Sequence, residues 1–552
     1  MKTSYQRLLS LLKPDRKEIY QVYTYAFFKG IIALSLPLGI QSIINLIQGG
    51  SVSVSWIVLV FIVILGIAMG GYIQLMQMRI TETIQQNIFT RAAFDFTFRI
   101  PKIKFEEINK YYAPELMNRF FDILTLQKSL SKVIIDFSTA ILQIIFGLIL
   151  LSLYHSFFIV FSFLLVVLVY FIIKLTIKKG LETSLAESKY KYKVVSWFEE
   201  LARAKDSFKL AGETNLPELK TDERVFGYLE SRESHFQILQ KQYKLLLFFK
   251  IIVAFGLLIV GGLLVLNQQM NIGQFVAAEI IILLVIDSSE KIILNLENIF
   301  DILSSLEKLG QITDLELDGQ FNHSSLQNDI TSPIQVELKN LNFTYPGRSN
   351  AVIKNINYTF EPNKIYSITG KNGSGKSTLL HLISGLYRAQ SGSVCINNLP
   401  ILNYDLSKLY NVVGNALEEE TIFEGTFLEN ITLGRSQITI NDVLWAIENV
   451  FLNEYVKELP KGLDTLIDVS GSKLSKSIIQ KIIIARSIVN KPKLILFENN
   501  IDLIEENERN IIIDFLTNKS NGWTLISNTG NKYFQEKSDK VIYMNEGEIV
   551  DS

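Results

Sequence analysis

A membrane domain of six helices followed by a soluble α/β domain of the P-loop class is the fold that this sequence predicts, on three observations. Six stretches within the first 310 residues are long and mostly apolar, and about 20 such residues suffice to cross a hydrocarbon core of roughly 30 Å. Beyond residue 333 short β-branched strands alternate with helices, the order that produces a parallel sheet with helical crossovers. Within that second part a complete glycine-rich phosphate-binding sequence stands at 370–378, between a strand and a helix.

Composition agrees. Hydrophobic residues make up 48% of the 552 residues, with 35 Phe, which is high for a soluble protein. The net charge of -1, with basic residues dispersed, argues neither for nor against a nucleic-acid partner, and none is expected. The single cysteine, Cys395, excludes an internal disulfide framework, and there is no Cys/His metal spacing. The four histidines, His155, His235, His323 and His381, are isolated and read as structural or solvated.

Residues 1–20 are charged and lack a short apolar segment ending in a small-residue cleavage site, so the first apolar stretch is expected to remain as an anchor. The spans are predicted at 20–48, 55–78, 132–154, 156–178, 244–266 and 272–296. The connections at 48–55, 154–156 and 267–271 are short and hold no Lys or Arg, whereas 79–131 and 179–243 are long and rich in both. The positive-inside rule then assigns both termini and both long loops to the cytoplasm. These loops exceed what simple connections need, and their amphipathic, charged sequence predicts helical extensions of the spans. Contact segments are expected within them around 113–121 and 204–217. Ionisable residues inside spans are costly. Lys29, Glu279, Asp287, Glu290 and Lys291 therefore call for partners, and the Asp287/Lys291 spacing permits an ion pair on one face. None of them identifies a cargo.

The sequence Gly370-Lys371-Asn372-Gly373-Ser374-Gly375-Lys376-Ser377-Thr378 is a full match to GxxxxGK[ST], with a strand predicted before it and an apolar helix after it. Glycines there let backbone N–H groups turn toward phosphate, and the helix N-terminus adds partial positive charge. Lys376 is expected to reach the outer phosphates of a nucleotide, and Ser377 to hold Mg²⁺.

From these motifs the whole chain resembles an ATP-binding cassette (ABC) exporter half-transporter. Tyr345, in Phe343-Thr344-Tyr345-Pro346-Gly347, matches the aromatic that stacks on adenine. Phe423-Glu424-Gly425-Thr426 with Glu429-Asn430-Ile431, Leu459-Pro460-Lys461-Gly462 and Ala485-Arg486-Ser487 match further family segments. Pro114-Glu115-Leu116 through Asn118-Arg119-Phe120-Phe121-Asp122 resembles the peptide- and protein-secreting (type I secretion) branch, here without room for a peptidase domain. The resemblance implies a membrane all-α six-helix exporter domain (1–310), a linker (311–333) and an α/β P-loop ABC ATPase domain (334–552). It also implies ATP and Mg²⁺ as ligands, a second half-transporter as homo- or heterodimer partner, and a lipid bilayer, expected to be a bacterial inner membrane. A periplasmic adaptor is a further partner consistent with the secretion branch.

The departures from the family pattern bear on turnover. Its L-S-G-G-Q signature, which acts on the nucleotide of the partner subunit, reads Leu474-Ser475-Lys476-Ser477-Ile478, so both glycines are lost and of its phosphate donors only Ser475 survives. Counting from Pro492, Glu498 falls at the Mg²⁺-ligand position and Asn499 at the general-base position. A register shifted by one makes Glu498 the base and leaves Phe497 at the metal position. The first register is preferred because Asp502-Leu503-Ile504-Glu505 then falls on the family's S-A-L-D loop. Asn528-Thr529-Gly530 replaces the γ-phosphate-sensing His, with Asn528 at the substituted position. Glu418, or next Glu419, stands for the Gln that links Mg²⁺ to the membrane domain. Asn accepts no proton at neutral pH, and a placed general base is worth about 10²–10⁴ in rate. The sequence therefore predicts ATP binding with slow hydrolysis, either in an exporter half or in a regulatory pseudo-ATPase subunit.

Overall fold

A computed structural model describes residues 3–49, 54–108, 110–111, 113–318, 330–417, 421–467, 474–498 and 501–550. The chain forms two compact units, one of Met1–Pro101 with Tyr111–Leu315 and the other of Lys102–Lys110 with Glu316–Ser552.

In the first unit α1 (Ser4–Leu12), α2 (Arg16–Ala33), α3 (Ser35–Gln48) and α4 (Val54–Arg99) open the chain. The predicted first span is therefore two helices. The break falls at Leu34, three residues before Pro37, whose ring and missing N–H cannot continue the preceding ladder. After the short α5 (Phe105–Ile108) and α6 (Ala113–Met117) come α7 (Asp122–Tyr154), α8 (Phe157–Arg203) and α9 (Lys205–Leu210). The unit ends with α10 (Leu216–Leu266), α11 (Ile272–Leu294) and α12 (Leu296–Thr313). Among the described residues six helices or helix runs are long and apolar enough to cross a membrane. The 51 residues of α10 span about 77 Å at 1.5 Å per residue, more than twice a hydrocarbon core. The charged loops thus continue the spans as helix, as their amphipathic pattern predicted.

Helix packing buries Leu246, Phe249, Val253 and Leu257 of α10 against Phe158, Phe161 and Leu165 of α8 and Ile281, Ile282 and Val285 of α11. Several polar groups inside this unit find partners. Gln242 donates to Thr176 (3.0 Å), and Glu290 of α11 pairs across to Lys250 of α10. Lys29 donates to Gln74 (3.2 Å).

The described residues of the second unit carry twelve strands: β1 (Val336–Phe343), β2 (Ile353–Phe360), β3 (Ile365–Gly370), β4 (Ser391–Ile396), β5 (Leu399–Pro400), β6 (Val413–Ala416), β7 (Gly425–Thr426), β8 (Leu466–Ile467), β9 (Leu494–Glu498), β10 (Thr524–Asn528), β11 (Lys540–Asn545) and β12 (Glu548–Val550). An antiparallel sheet runs β2-β1-β4-β5, and a six-stranded sheet runs β12-β11-β3-β10-β9-β6, parallel except at β12. The inner parallel strands are buried on both faces, as in Leu494, Ile495, Leu496 and Phe497 of β9. In their register Asn528 lies opposite both Ile368 and Glu498. Three strand ends therefore meet where the phosphate loop leaves β3 and α13 (Lys376–Ser384) begins.

A piece of the first long loop belongs to this unit. Ile103 bridges Leu317 in antiparallel register, with Lys104 N donating to Glu316 O (2.9 Å) and Asp318 N to Lys102 O (2.6 Å). The Phe105 ring packs edge-on against Tyr387 (centroids 5.1 Å), and Glu106 Oε1 accepts from Arg388 N (2.8 Å). The expected contact segments, 113–121 and 204–217, lie in the first unit, downstream of this one.

Candidate nucleotide site

The phosphate loop is held in a shape that only glycine tolerates. Gly370 (φ 146°) and Gly375 (φ 99°) both adopt conformations that L side chains avoid. A Cβ on Gly370 would stand 2.1 Å from Met544 O, and one on Gly375 would stand 2.9 Å from Val352 O. The loop is pressed onto the starts of β2 and the end of β11, and its tip (Lys371, Asn372, Gly373) is exposed. Ser374 is buried.

Lys376 folds back over this loop. Its Nζ donates to Lys371 O (2.9 Å) and Gly370 O (3.1 Å), with Ser374 Oγ at 3.5 Å. Burial lowers its pKa while the charge of Glu498 raises it, and the net direction is down. A bound polyphosphate would replace carbonyl acceptors by charged ones and reverse that direction. The amides at the start of α13 have no acceptor within their own helix, which suits an anion there.

Thr378 Oγ1 lies 2.8 Å from the Tyr345 hydroxyl. The Tyr345 ring stands edge-on to Phe343 (5.1 Å) and Tyr387 (5.3 Å), with the Arg348 guanidinium 5.8 Å from its centroid. Beside it opens a cleft of about 470 Å³, lined among others by Arg348, Asn350, Lys354, Gly373 and Glu546. Its volume falls in the range of small-molecule sites.

At the strand ends Asn528 Nδ2 donates both to Ser377 Oγ (3.3 Å) and to Glu498 Oε1 (3.1 Å). Glu498 is only 3% exposed. A hydroxyl and a carboxylate held together at a helix start are oxygen donors of the kind a hard cation takes. Among the described residues no group of three or more His, Cys, Asp or Glu forms a metal cage. A cation here would thus complete its shell with phosphate and water, as Mg²⁺ does in nucleotide sites. The residues present fit Mg²⁺ and ATP.

The structure therefore gathers Tyr345, the 370–378 loop, Ser377, Glu498 and Asn528 into one place. Ser475 lies on another element, where its Oγ accepts from Ile478 N (3.3 Å) and caps the helix Lys476–Ile488. Glu418 and Asn499 lie outside the described residues.

One neighbour of this site was missed in the sequence. His381 Nε2 stands 3.9 Å from Glu498 Oε2, and both side chains are almost fully buried. The signal was its spacing, four residues after Ser377, which puts both on one face of α13.

Residues 353–500 match the family model described as ABC transporter. The chain is similar to a putative export ATP-binding/permease protein of Rickettsia felis, 28% identical over 251 residues (45% of this chain, 43% of that protein). It is also similar to the ATP-dependent lipid A-core flippase of Pseudomonas fluorescens, 30% identical over 239 residues (43% and 40%). To the α-hemolysin translocation ATP-binding protein HlyB of Escherichia coli it is 26% identical over 250 residues (45% and 34%). The chain spans less than half the length of these curated relatives. Among solved structures, that of a bacterial Atm1-family ABC exporter with ATP bound superposes with a TM-score of 0.86 at 16% identity, over 97% of this chain and 94% of that one. The chain thus has the fold of an ABC exporter, six apolar spans joined to an ABC transporter ATP-binding domain.

Proposed function

We propose that the chain is one half of an ATP-driven exporter that binds Mg²⁺–ATP at 370–378 and hydrolyses it slowly. The observation that carries this reading is the linked set of Lys376, Ser377, Asn528 and Glu498. It keeps the phosphate-facing lysine and a hydroxyl–carboxylate pair, and its one described carboxylate is already tied to Asn528. Lys376 would turn from its loop carbonyls to the outer phosphates, while Ser377 and Glu498 hold the cation and Tyr345 packs against the base. Mg²⁺, when bound, supplies neutralising charge along the phosphates. With Asn499 at the general-base position, attack by water lacks a proton acceptor. ATP binding can still shift the chain between conformations through differential affinity alone.

Two halves, as a homodimer or with a different partner, would complete the exporter. Both termini would face the cytoplasm, with the bacterial inner membrane as the expected location. The cargo classes in view are a peptide or protein, by likeness to a hemolysin translocator and the loop motif, and a lipid, by likeness to a flippase. A periplasmic adaptor goes with the first class.

The second reading is a regulatory pseudo-ATPase subunit, favoured by the substitutions at the signature (Lys476, Ser477), the general-base position (Asn499) and the sensing-His position (Asn528). The test is nucleotide binding and turnover by the purified chain in lipid vesicles. Tight Mg²⁺–ATP binding, its loss in Lys376→Ala, and ATP-dependent uptake with slow hydrolysis are expected. Fast Mg²⁺-dependent hydrolysis by the homodimer would overturn the slow-turnover reading. Binding without transport, alone or with a co-purifying half-transporter, would select the regulatory one.

A further inference from the structure

Two described side chains stand at the two oxygens of the carboxylate on the cation side of the nucleotide site. Oε1 is held by Asn528, on the neighbouring strand. Oε2 faces His381 Nε2 at 3.9 Å, too far for a hydrogen bond but with nearly all solvent excluded from both side chains. His381 sits in the middle of α13, the helix that also presents Ser377.

What stands behind His381 is unexpected for a P-loop helix. Its ring meets the Tyr387 ring at 5.9 Å and, edge-on, the ring of Phe105 at 6.2 Å. Phe105 is remote in sequence, from the loop between the second and third spans, and it enters this unit on the short ladder made by Ile103 and Leu317. Phe105 also packs on Tyr387, which packs on Tyr345. Tyr345 bonds Thr378 on α13. Two routes from one phenylalanine thus reach the site, one through His381 to the cation side and one through Tyr387 and Tyr345 to the base side.

We infer that His381 is a positioning residue for Glu498 and that Phe105 sets its orientation, so a loop residue tunes how well the site holds the cation of Mg²⁺–ATP. A buried imidazole wedged between an aromatic edge and a carboxylate has few rotamers open to it. Removing Phe105 opens space behind the ring, and the imidazole can then withdraw from Oε2. Glu498 then loses the imidazole beside Oε2 and meets the cation less well. A partner hydrogen-bonded to a metal ligand is typically worth 10–100-fold in metal affinity, and this longer contact belongs at the low end of that range. The P-loop carbonyls and Lys376 do not depend on it, so nucleotide binding without a cation stays as it was.

The inference rests on the reading of 370–378 as an ATP site, and the experiment separates the two. ATP affinity of the full chain in lipid nanodiscs is measured with Mg²⁺ and with EDTA, for wild type, Phe105→Leu, His381→Gln, His381→Leu and Phe105→Leu/His381→Leu. Thermal unfolding in EDTA controls for folding. The expected result is a loss of about tenfold in affinity with Mg²⁺ for His381→Leu and a smaller loss for Phe105→Leu. Because Phe105 also reaches the base side through Tyr387 and Tyr345, each affinity with Mg²⁺ is read relative to the same variant's affinity in EDTA, where the His381 variants should lie within about twofold of wild type. His381→Gln, which keeps a side-chain N–H, should recover part of the loss, and the double variant should be no weaker than His381→Leu alone. Equal losses with and without Mg²⁺, no loss at all, or two losses that multiply in the double variant would each overturn the inference and leave the ATP site standing. Failure of the wild type to bind ATP in either condition would overturn the parent reading and this one with it.

Discussion

Asn499 decides the rate if the register counted from Pro492 holds, because Glu498 then belongs to the cation and, among the described residues, β9 ends on no other carboxylate. The structure supports the first half of that argument by placing Glu498 beside Ser377 through Asn528. Restoring the base with Asn499→Glu is expected to raise ATP turnover by about 10². No rise would locate the limit in the substituted signature at 474–478 or reject the register. At this scale the phosphate loop was legible because its requirements are local: two glycines in forbidden conformations, a lysine and a hydroxyl in one stretch. His381 was not, because its role depends on a carboxylate 117 positions away that only the sheet register brings near.

Single elements show the same division. The helix Ile440–Asn449 carries its start signal in its own sequence, Thr439 and Asp442 forming a reciprocal cap. Lys491, then the Thr439 hydroxyl and amide, hold the Asp442 carboxyl down at about 2 against an ordinary 3.8. A lowered folded-state pKa means stabilisation that is full above about pH 4 and lost as pH falls toward 2. The protection of this helix against hydrogen exchange, corrected for the intrinsic amide rate, should therefore fall between pH 4 and 2 in the wild type, and much less in Asp442→Asn. The ladder of Ile103 with Leu317 was illegible, since one bridged residue on each side leaves no period to detect. Its flanking hydrogen bonds make Ile103 and Leu317 a non-hydrogen-bonded pair, with Cα atoms expected about 4.5 Å apart. Ile103→Cys with Leu317→Cys should then form a disulfide on mild oxidation, seen as a mobility shift reversed by reductant. The native Cys395 is buried and should contribute little background.

For the whole molecule, hydropathy placed all six spans, because a bilayer demands length and apolarity that few other contexts do. It could not show where helices stop, since a helix leaving the membrane changes its composition but not its backbone. The predicted 55–78 is thus the first half of Val54–Arg99. Orientation follows from the lysine and arginine count and is directly testable. His155→Cys and Gln268→Cys should react with a membrane-impermeant maleimide added outside intact cells, and Lys205→Cys only after permeabilisation. The reverse pattern would invert the topology.

The ladder at 102–104 has a further consequence, for biosynthesis. Lys102–Lys110 leaves the ribosome more than 200 residues before Glu316, yet it completes the unit that begins there. Until then Phe105 has no ring to meet. The ATP-binding unit produced alone from residue 316 onward would conversely fold with Tyr387 and His381 uncovered on one flank, a bare aromatic patch prone to self-association. Supplying a 102–110 peptide in trans should restore its solubility, which would make this loop a built-in assembly factor for the domain it precedes.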